Sequence, residues 1–435
     1  MKQYFKSLDK YKKGFWIYLV LIFIEGAMRK WFMPGLSSVW MMCREPIVIW
    51  TVLSLMGTYH LKSTVAKAFM FIGVFMLITT MTMGHKNLGV ALYGFRIWFF
   101  HIPYIFIMVA KLNREDLIRI CQFLIIVFLP MTLLYVVQWA SPSNSWINIR
   151  IGGIVMEAGE TLRPSGTFGM SPGAAYYNPI IVTLFICTIL SKYYKNKLLP
   201  FKKSIYILET AIIITLVVSV SRATVIQSGI TAVFVFCCCL LFGISKQVKH
   251  FLIGFISLFF LFNIIANFEI GDQNILNPII TRFEVAAEQE GGTSGILDSR
   301  VMEPYRFWND KGVALNPPLF GYGIGAGSNF GTQALGLGKA WGLGEWSSQI
   351  VTNEMGFLFG AIVFFLRVGF CFYLFPICLR LLRKNRDILP LCLWTLSVSY
   401  FGNGNVNLTM TFGWIVIVMI IILLSIKTST PIYDK

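Results

Sequence analysis

The chain has 435 residues, of which 56% are hydrophobic and only 13% are charged, with a mean hydropathy of +0.69 and a formal net charge of +17. Apolar blocks near or above the length that crosses a bilayer follow one another, which predicts an all-α, polytopic transmembrane helical bundle. A membrane β-barrel would show short segments of alternating hydrophobicity, and continuous apolar runs such as residues 251–262 exclude it.

Hydropathy predicts about twelve transmembrane spans, which puts both chain termini on one side of the membrane. A long polar loop, residues 269–348, separates nine spans in residues 1–268 from three spans and a tail in residues 349–435. The first apolar block has no small-residue cleavage site, so we expect no cleavable signal peptide. The predicted spans are residues 14–28, 39–57, 66–84, 88–110, 117–139, 174–190, 204–220, 223–243, 250–268, 350–374, 388–401 and 409–426.

Basic clusters set the predicted orientation. They lie on the side of the N-terminus, in residues 10–13, 192–203 and 380–386. By the positive-inside rule this side is cytoplasmic, so we expect cytoplasmic termini and an outward-facing long loop.

The net charge of the chain is then explained by its topology. The long loop itself has nine acidic against five basic residues, and no nucleic-acid-binding module is visible, so nucleic acid is not an expected partner.

Cysteine and histidine positions predict no metal site. Eight of the nine cysteines fall in predicted spans, Cys378 lies four residues beyond span 350–374, and none of the four histidines lies in the long loop. This pattern indicates neither a disulfide framework nor a zinc site, and we expect no cofactor.

The long loop holds most of the candidate chemistry. Its aromatic residues and its helix-start signals, such as Asn277-Pro278 and Asp298, predict a folded, partly helical lid. Its Gly-rich segment, residues 321–327, lacks the preceding strand of a dinucleotide-binding motif. The glycines permit either close approach of backbone N–H groups to an anion or a merely flexible loop.

Several charged side chains lie at the predicted outer ends of spans. A single buried cation is often an interfacial side chain or half of an ion pair. The shared location of this set indicates an anionic ligand with planar oxygens, such as a diphosphate, for which arginine is the suited donor. The predicted vestibule comprises Arg29, Arg44 with Glu45, Arg163 and Arg222. A transporter would instead place cations along a path through the membrane. The only cations deep within predicted spans are Arg96 and Arg367.

The order of motifs resembles the O-antigen polymerase and O-antigen ligase superfamily. The residues concerned are Glu-Gly-Ala-Met-Arg-Lys-Trp-Phe at 25–32, Arg-Pro-Ser-Gly-Thr-Phe at 163–168, Ser-Arg-Ala at 221–223, Phe-Gly-x-Gly-x-Gly-x-Gly-Ser at 320–328 and Asn-Glu-x-Gly at 353–356. The resemblance covers most of the chain. It implies a glycosyltransferase of the bacterial cytoplasmic (inner) membrane that uses lipid-diphosphate-linked saccharides on the outer face, without metal or nucleotide sugar. The implied products are O-antigen, capsular polysaccharide or exopolysaccharide, and the implied partners are membrane lipid and a chain-length regulator.

The resemblance also implies roles for individual residues. Diphosphate contacts carry over to Arg222 and, in the long loop, to Arg300 or Arg306. Ligase-type members have a His-Asn pair before the Glu-x-Gly motif, where this chain has Glu345-Trp346. A carboxylate can act as general base toward a sugar hydroxyl, so Glu345 is the predicted base, with an ion pair to a loop cation as the alternative.

Glu354 is the second catalytic candidate, or else a structural partner for an arginine. Polymerisation of oligosaccharide repeats is the predicted function. Ligase-type transfer to a lipid acceptor and transport of lipid-linked saccharides are the alternatives.

Overall fold

A computed structural model of the chain describes residues 2–55, 63–152, 162–201, 203–242, 318–337 and 347–430, with a few isolated positions. The strand pair Glu269–Ile270 and Gln273–Asn274 is also described. Nearly all of the predicted span 250–268 and most of the long loop lie outside the described residues.

The described residues are almost entirely helical. The α-helices are α1 (Lys2–Ser7), α2 (Lys10–Ala27), α3 (Ser37–Met41), α4 (Glu45–Leu55), α5 (Thr64–Thr82), α6 (Leu88–Phe95), α7 (His101–Lys111), α8 (Arg114–Ala140), α9 (Ser171–Leu190), α10 (Lys192–Leu198), α11 (Ser204–Val218), α12 (Arg222–Leu241), α13 (Asn329–Ala334), α14 (Ser347–Asn385), α15 (Leu389–Ser397) and α16 (Thr409–Lys427). Three π-helical segments, Met28–Phe32, Arg96–Phe100 and Val398–Gly402, and two short 3₁₀ turns, Pro34–Leu36 and Trp146–Asn148, complete the set.

Eight helices of the described residues are long and apolar enough to cross a membrane, which confirms the predicted all-α class. Their bounds are Pro34–Leu55, Thr64–Thr82, Leu88–Lys111, Arg114–Ala140, Ser171–Leu190, Arg222–Leu241, Ser347–Asn385 and Thr409–Lys427. Two shorter apolar helices, Ser204–Val218 and Leu389–Gly402, coincide with further predicted spans. The number of twelve spans and the orientation in the membrane stay predictions.

Helix α16 is at the centre of the bundle. Nearly all of its residues are buried, and it packs against α7, α9 and α15. A helix that is apolar on all sides is one surrounded by other helices. Its Trp414 stacks on Tyr177 with ring centroids 5.0 Å apart, and its first residue, Thr409, reaches the candidate site described below.

Helix α14 is a helical hairpin rather than one span. Gly356 has φ 74° and ψ 174°, outside the helical region. Arg367 Nη1 donates to Ser347 Oγ over 2.5 Å, although a straight helix would separate these residues by about 30 Å. The predicted continuous span 350–374 is therefore wrong. A short limb, residues 347–355, folds back along a long limb, residues 357–385.

Replacing Gly356 by alanine is expected to destabilise this hairpin. The glycine-only backbone region costs other residues about 1–3 kcal/mol, and a Cβ there would lie 2.1 Å from the Leu319 carbonyl oxygen. Thermal unfolding of the detergent-solubilised protein would measure the loss. The matched control is Gly369→Ala in the long limb, where a Cβ meets nothing within 4 Å. Equal stability of the two variants would contradict the hairpin.

The bundle has two polar ends, between which α2 and α8 both run. Near the start of α8, Asp116 Oδ2 lies 2.6 Å from Lys12 Nζ, and Arg114 Nη1 lies 3.2 Å from Asp387 Oδ2. Glu25 lies at the opposite end. We call these the Asp116 end and the Glu25 end, and the predicted topology makes the Glu25 end outward-facing.

Candidate functional site

Glu25 is the centre of a buried ion-pair network. Arg44 Nη2 lies 3.0 Å from its Oε2, and Arg29 Nη1 lies 3.0 Å from its Oε1. Arg44 Nη2 also donates to the Thr409 carbonyl over 2.6 Å, and Thr409 Oγ1 donates to Glu25 Oε1 over 3.2 Å. Glu25 and Arg44 are each 1% exposed. The charges are therefore held away from water, where each depends on its partners.

A second ion pair lies next to this network, because Glu45 directly follows Arg44. Arg96 Nη2 lies 2.7 Å from Glu45 Oε1, and His101 Nε2 lies 3.6 Å from Oε2. Arg96 opens a π-helical segment, a feature frequent at functional sites. The structure thus brings three predicted vestibule residues together, namely Arg29, Arg44 and Glu45. Each of them pairs with a charged or titratable side chain of the protein itself.

Lys30 holds the segment 163–168 against the bundle. Its Nζ donates to Ser165 Oγ over 3.0 Å and to the Gly166 carbonyl over 2.8 Å. Burial lowers the pKa of Lys30 to about 7. An anion nearby would favour the charged form of this amine.

A small cleft with a volume of about 10 Å³ lies beside Ser165, at the N-terminus of α9. Its described lining residues are Asn148, Arg150, Leu162, Arg163, Ser165, Met170 and Ser171, none of which is acidic. The N-cap residue Met170 makes no side-chain hydrogen bond to the helix. With arginines and no acidic residue among its described lining, the cleft is suited to an anion. Arg163, a predicted diphosphate contact, is exposed here.

The Gly-rich segment wraps around the carboxylate of Glu354. Gly325 N–H donates to Oε2 and Gly327 N–H to Oε1, each over 2.9 Å. Trp98 Nε1 donates to Oε2 over 2.7 Å. Two further N–H groups of the segment donate to carbonyls of the short limb. Of the two predicted interpretations, the structure favours close approach to an anion, and the anion is Glu354 itself.

The loop between α5 and α6 holds the same segment from another side. Ile324 N–H donates to Thr80 Oγ1 over 3.1 Å, and His85 Nε2 lies 3.2 Å from the Ile324 carbonyl. Asn87 N–H donates to His85 Nδ1, so the ring proton lies on Nε2, which donates to that carbonyl. Burial lowers the pKa of His85, which favours this neutral form.

Arg367 lies deeper in the bundle and is 3% exposed. Its Nε donates to the Phe401 carbonyl over 2.8 Å, and its Nη2 donates to the Gly404 carbonyl over 3.2 Å. Its guanidinium carbon lies 5.3 Å from the centre of the Trp98 ring. Within the described residues no carboxylate pairs with Arg367. A buried positive charge is thus held by neutral oxygens and an aromatic face.

An asparagine-rich segment, residues 403–409, connects these groups. It is largely non-helical and leads into α16. Its Gly404 carbonyl accepts from Arg367, and its Asn407 Nδ2 donates to the Gly327 carbonyl over 3.3 Å. Its last residue contacts the Glu25 network. Irregular backbone at membrane depth occurs where protein or a cavity satisfies it. The ion pairs, the Gly-rich segment and Arg367 therefore form one contiguous polar region.

The predicted site residues stand as follows. Glu345, Arg300 and Arg306 lie outside the described residues, so their roles stay predictions. Arg222 is the first residue of α12, after the N-cap Ser221. For Glu354 the donors are backbone N–H groups and Trp98, and no described arginine forms an ion pair with it.

Sequence reasoning missed Trp98 and the asparagine-rich segment. A signal for the segment was present, because asparagines at positions 403, 405 and 407 stand between two apolar blocks. Polar side chains at such a depth are costly unless they serve a site. Nothing in the sequence distinguished Trp98 from the other aromatic residues of the spans.

No family model matches the chain, and neither a curated protein nor a solved structure is significantly similar to it. The resemblance described above therefore depends on its short motifs alone.

Proposed function

We propose that this chain is a metal-independent membrane glycosyltransferase. It polymerises polyprenyl-diphosphate-linked oligosaccharide repeats into a surface polysaccharide on the outer face of the bacterial cytoplasmic membrane. The observation that carries the proposal is a cluster of cations at the Glu25 end. Among the described residues it comprises Arg29, Arg44 and Arg96 in their ion pairs, and Arg163, which is exposed at the cleft. Arginine is the suited donor for a diphosphate.

The proposed chemistry needs charge stabilisation and one proton acceptor. The acceptor hydroxyl attacks the anomeric carbon, and the bond from that carbon to the diphosphate oxygen breaks with its electrons on the diphosphate. Arginines, such as Arg163 in the cleft beside α9, stabilise that leaving group. The proton of the hydroxyl goes to a carboxylate, for which Glu345 stays the predicted residue.

A second function, transport of a lipid-linked saccharide, is favoured by one specific observation. Arg367 is a deep cation in the long limb of the broken helix α14, and it contacts the irregular segment 403–409. Transporters place discontinuous helices at their midplane sites. Ligase-type transfer to a lipid acceptor would use the same cleft as polymerisation, so the site alone does not separate it.

The test of the proposal is the glycan ladder of a strain that lacks this protein. Polymerisation predicts capped single repeats on the final acceptor. Full-length chains that remain on carrier lipid would show ligation instead. An internal accumulation of repeats would show transport, and an unchanged ladder would contradict all three.

The cleft is expected to bind the donor diphosphate. Arg163→Gln should therefore raise the KM for a polyprenyl-diphosphate-linked donor about tenfold or more, because a charge-assisted hydrogen bond contributes about 1.5–3 kcal/mol. Product formed per unit of purified protein in lipid nanodiscs would measure it. The matched control is Arg119→Gln at the Asp116 end, where Arg119 Nη2 lies 3.7 Å from Glu115 on the same helix. Equal KM values in the two variants would remove Arg163 from the site.

A further inference from the structure

We infer that Glu354 and Trp98 are positioning residues that lock the Gly-rich segment into the bundle, and that Glu354 is not the proton acceptor of the reaction. The claim that Glu354 is not the proton acceptor rests on the proposed function. The claim that Glu354 and Trp98 hold the Gly-rich segment in place, which we call the lock, rests on the contacts alone.

The carboxylate of Glu354 accepts three hydrogen bonds from its neighbours, out of about four that a carboxylate can accept. Its Oε2 accepts from Trp98 Nε1 and Gly325 N–H, and its Oε1 accepts from Gly327 N–H. The side chain is 0% exposed, so an acceptor hydroxyl would have to displace these donors to reach it. A carboxylate with three N–H donors is placed to hold a loop rather than to take a proton from a sugar.

The N–H groups of Gly325 and Gly327 both donate to Glu354, so neither is left to bind a substrate anion. A Cβ on Gly325 would lie 2.3 Å from the Val90 carbonyl oxygen, and a Cβ on Gly94 would lie 2.3 Å from Gly325 N. The segment is thus in direct backbone contact with α6. It is a fixed element inserted between helices, and Glu354 is the residue that fixes it.

Trp98 extends the lock to the middle of the bundle. Its indole N–H donates to Glu354, and its ring faces the Arg367 guanidinium at 5.3 Å. Arg367 in turn donates to Ser347, the first residue of the short limb. The Trp98 side chain thus lies between the buried guanidinium of Arg367 and the buried carboxylate of Glu354. The arrangement couples the hairpin to the Gly-rich segment.

Hydrogen–deuterium exchange followed by mass spectrometry tests the lock on the full-length protein in nanodiscs. Glu354→Gln places an NH₂ group against at least one N–H donor, so exchange of the amides in residues 323–328 should rise on the order of tenfold or more. Trp98→Phe keeps the carboxylate and an aromatic ring but removes one donor, and it should raise the same exchange. The control is Glu115→Gln, a carboxylate with 62% side-chain exposure at the Asp116 end, which should change nothing there.

Polymer formed per molecule is measured on the same samples. The inference expects transfer to fall in both Trp98→Phe and Glu354→Gln, without loss of any limb of the pH profile. Wild-type exchange and turnover in Trp98→Phe, with turnover abolished and exchange unchanged in Glu354→Gln, would overturn it. If the wild-type protein forms no polymer, the proposed function fails, and the exchange measurements alone still decide whether the lock exists.

Discussion

Replacing Glu25 by alanine is expected to lower the free energy of unfolding by about 3–5 kcal/mol, the typical cost of removing one partner from a buried ion pair. The reason is that Glu25 is the shared partner of Arg29 and Arg44, and its loss leaves two guanidinium groups uncompensated. Arg44 is 1% exposed and cannot reach water without moving α16. Denaturation of the solubilised protein by graded SDS would measure the change.

The control for this variant is Glu115→Ala. Glu115 pairs only with Arg119 over 3.7 Å among the described residues, and 62% of its side chain is exposed. Exposed pairs contribute little, so we expect a change within about 0.5 kcal/mol. If Glu25→Ala were as stable as Glu115→Ala, the network would not stabilise the bundle. The cation cluster would then have to be explained by a ligand alone.

The positions of most helices could be predicted because hydropathy depends only on composition along the chain. The predicted span 88–110 corresponds to Leu88–Lys111, and the predicted span 409–426 corresponds to Thr409–Lys427. The hairpin in α14 could not be predicted in this way. Its apolar residues run on from Ile350 and Val351 into the long limb, and Gly356 has the same identity as Gly360 and Gly369, which lie in regular helix.

The site was predictable in its parts but not in its pairings. The sequence indicated that Arg29 and Arg44 share one end of the bundle, and in the structure both form ion pairs with one carboxylate. Their meeting point is Glu25, and Thr409 completes it from near the end of the chain. Contacts between residues hundreds of positions apart depend on how helices pack, which local spacing does not contain.

The same limit of sequence-based prediction applies to the Gly-rich segment. Its glycines permitted either close approach to an anion or a flexible loop, and the structure favours the first. The anion is the side chain of Glu354, which the sequence analysis assigned to chemistry or to an arginine. A substrate anion and an internal carboxylate demand the same backbone N–H groups, so the motif alone does not distinguish them. The distances of 2.9 Å from Gly325 N and Gly327 N to the Glu354 carboxylate oxygens identify the anion as the internal carboxylate.

The engagement of Glu354 leaves Glu345 as the predicted general base, and Glu345→Gln is expected to lower transfer by about 10²–10⁴-fold. The amide is nearly the same size as the carboxylate, so insertion and abundance should be unchanged. Glu345→His should restore part of the activity, because it recreates the ligase-like residue. Polymer formed per unit of membrane protein is the measurement, and Glu115→Gln is again the control. An ion-pair role for Glu345 predicts the opposite pattern, with slightly lower abundance and normal turnover per molecule. Near wild-type turnover in Glu345→Gln would leave proton removal to the substrate itself, since Glu354 is fully buried and a sugar hydroxyl would have to displace its N–H donors to reach it.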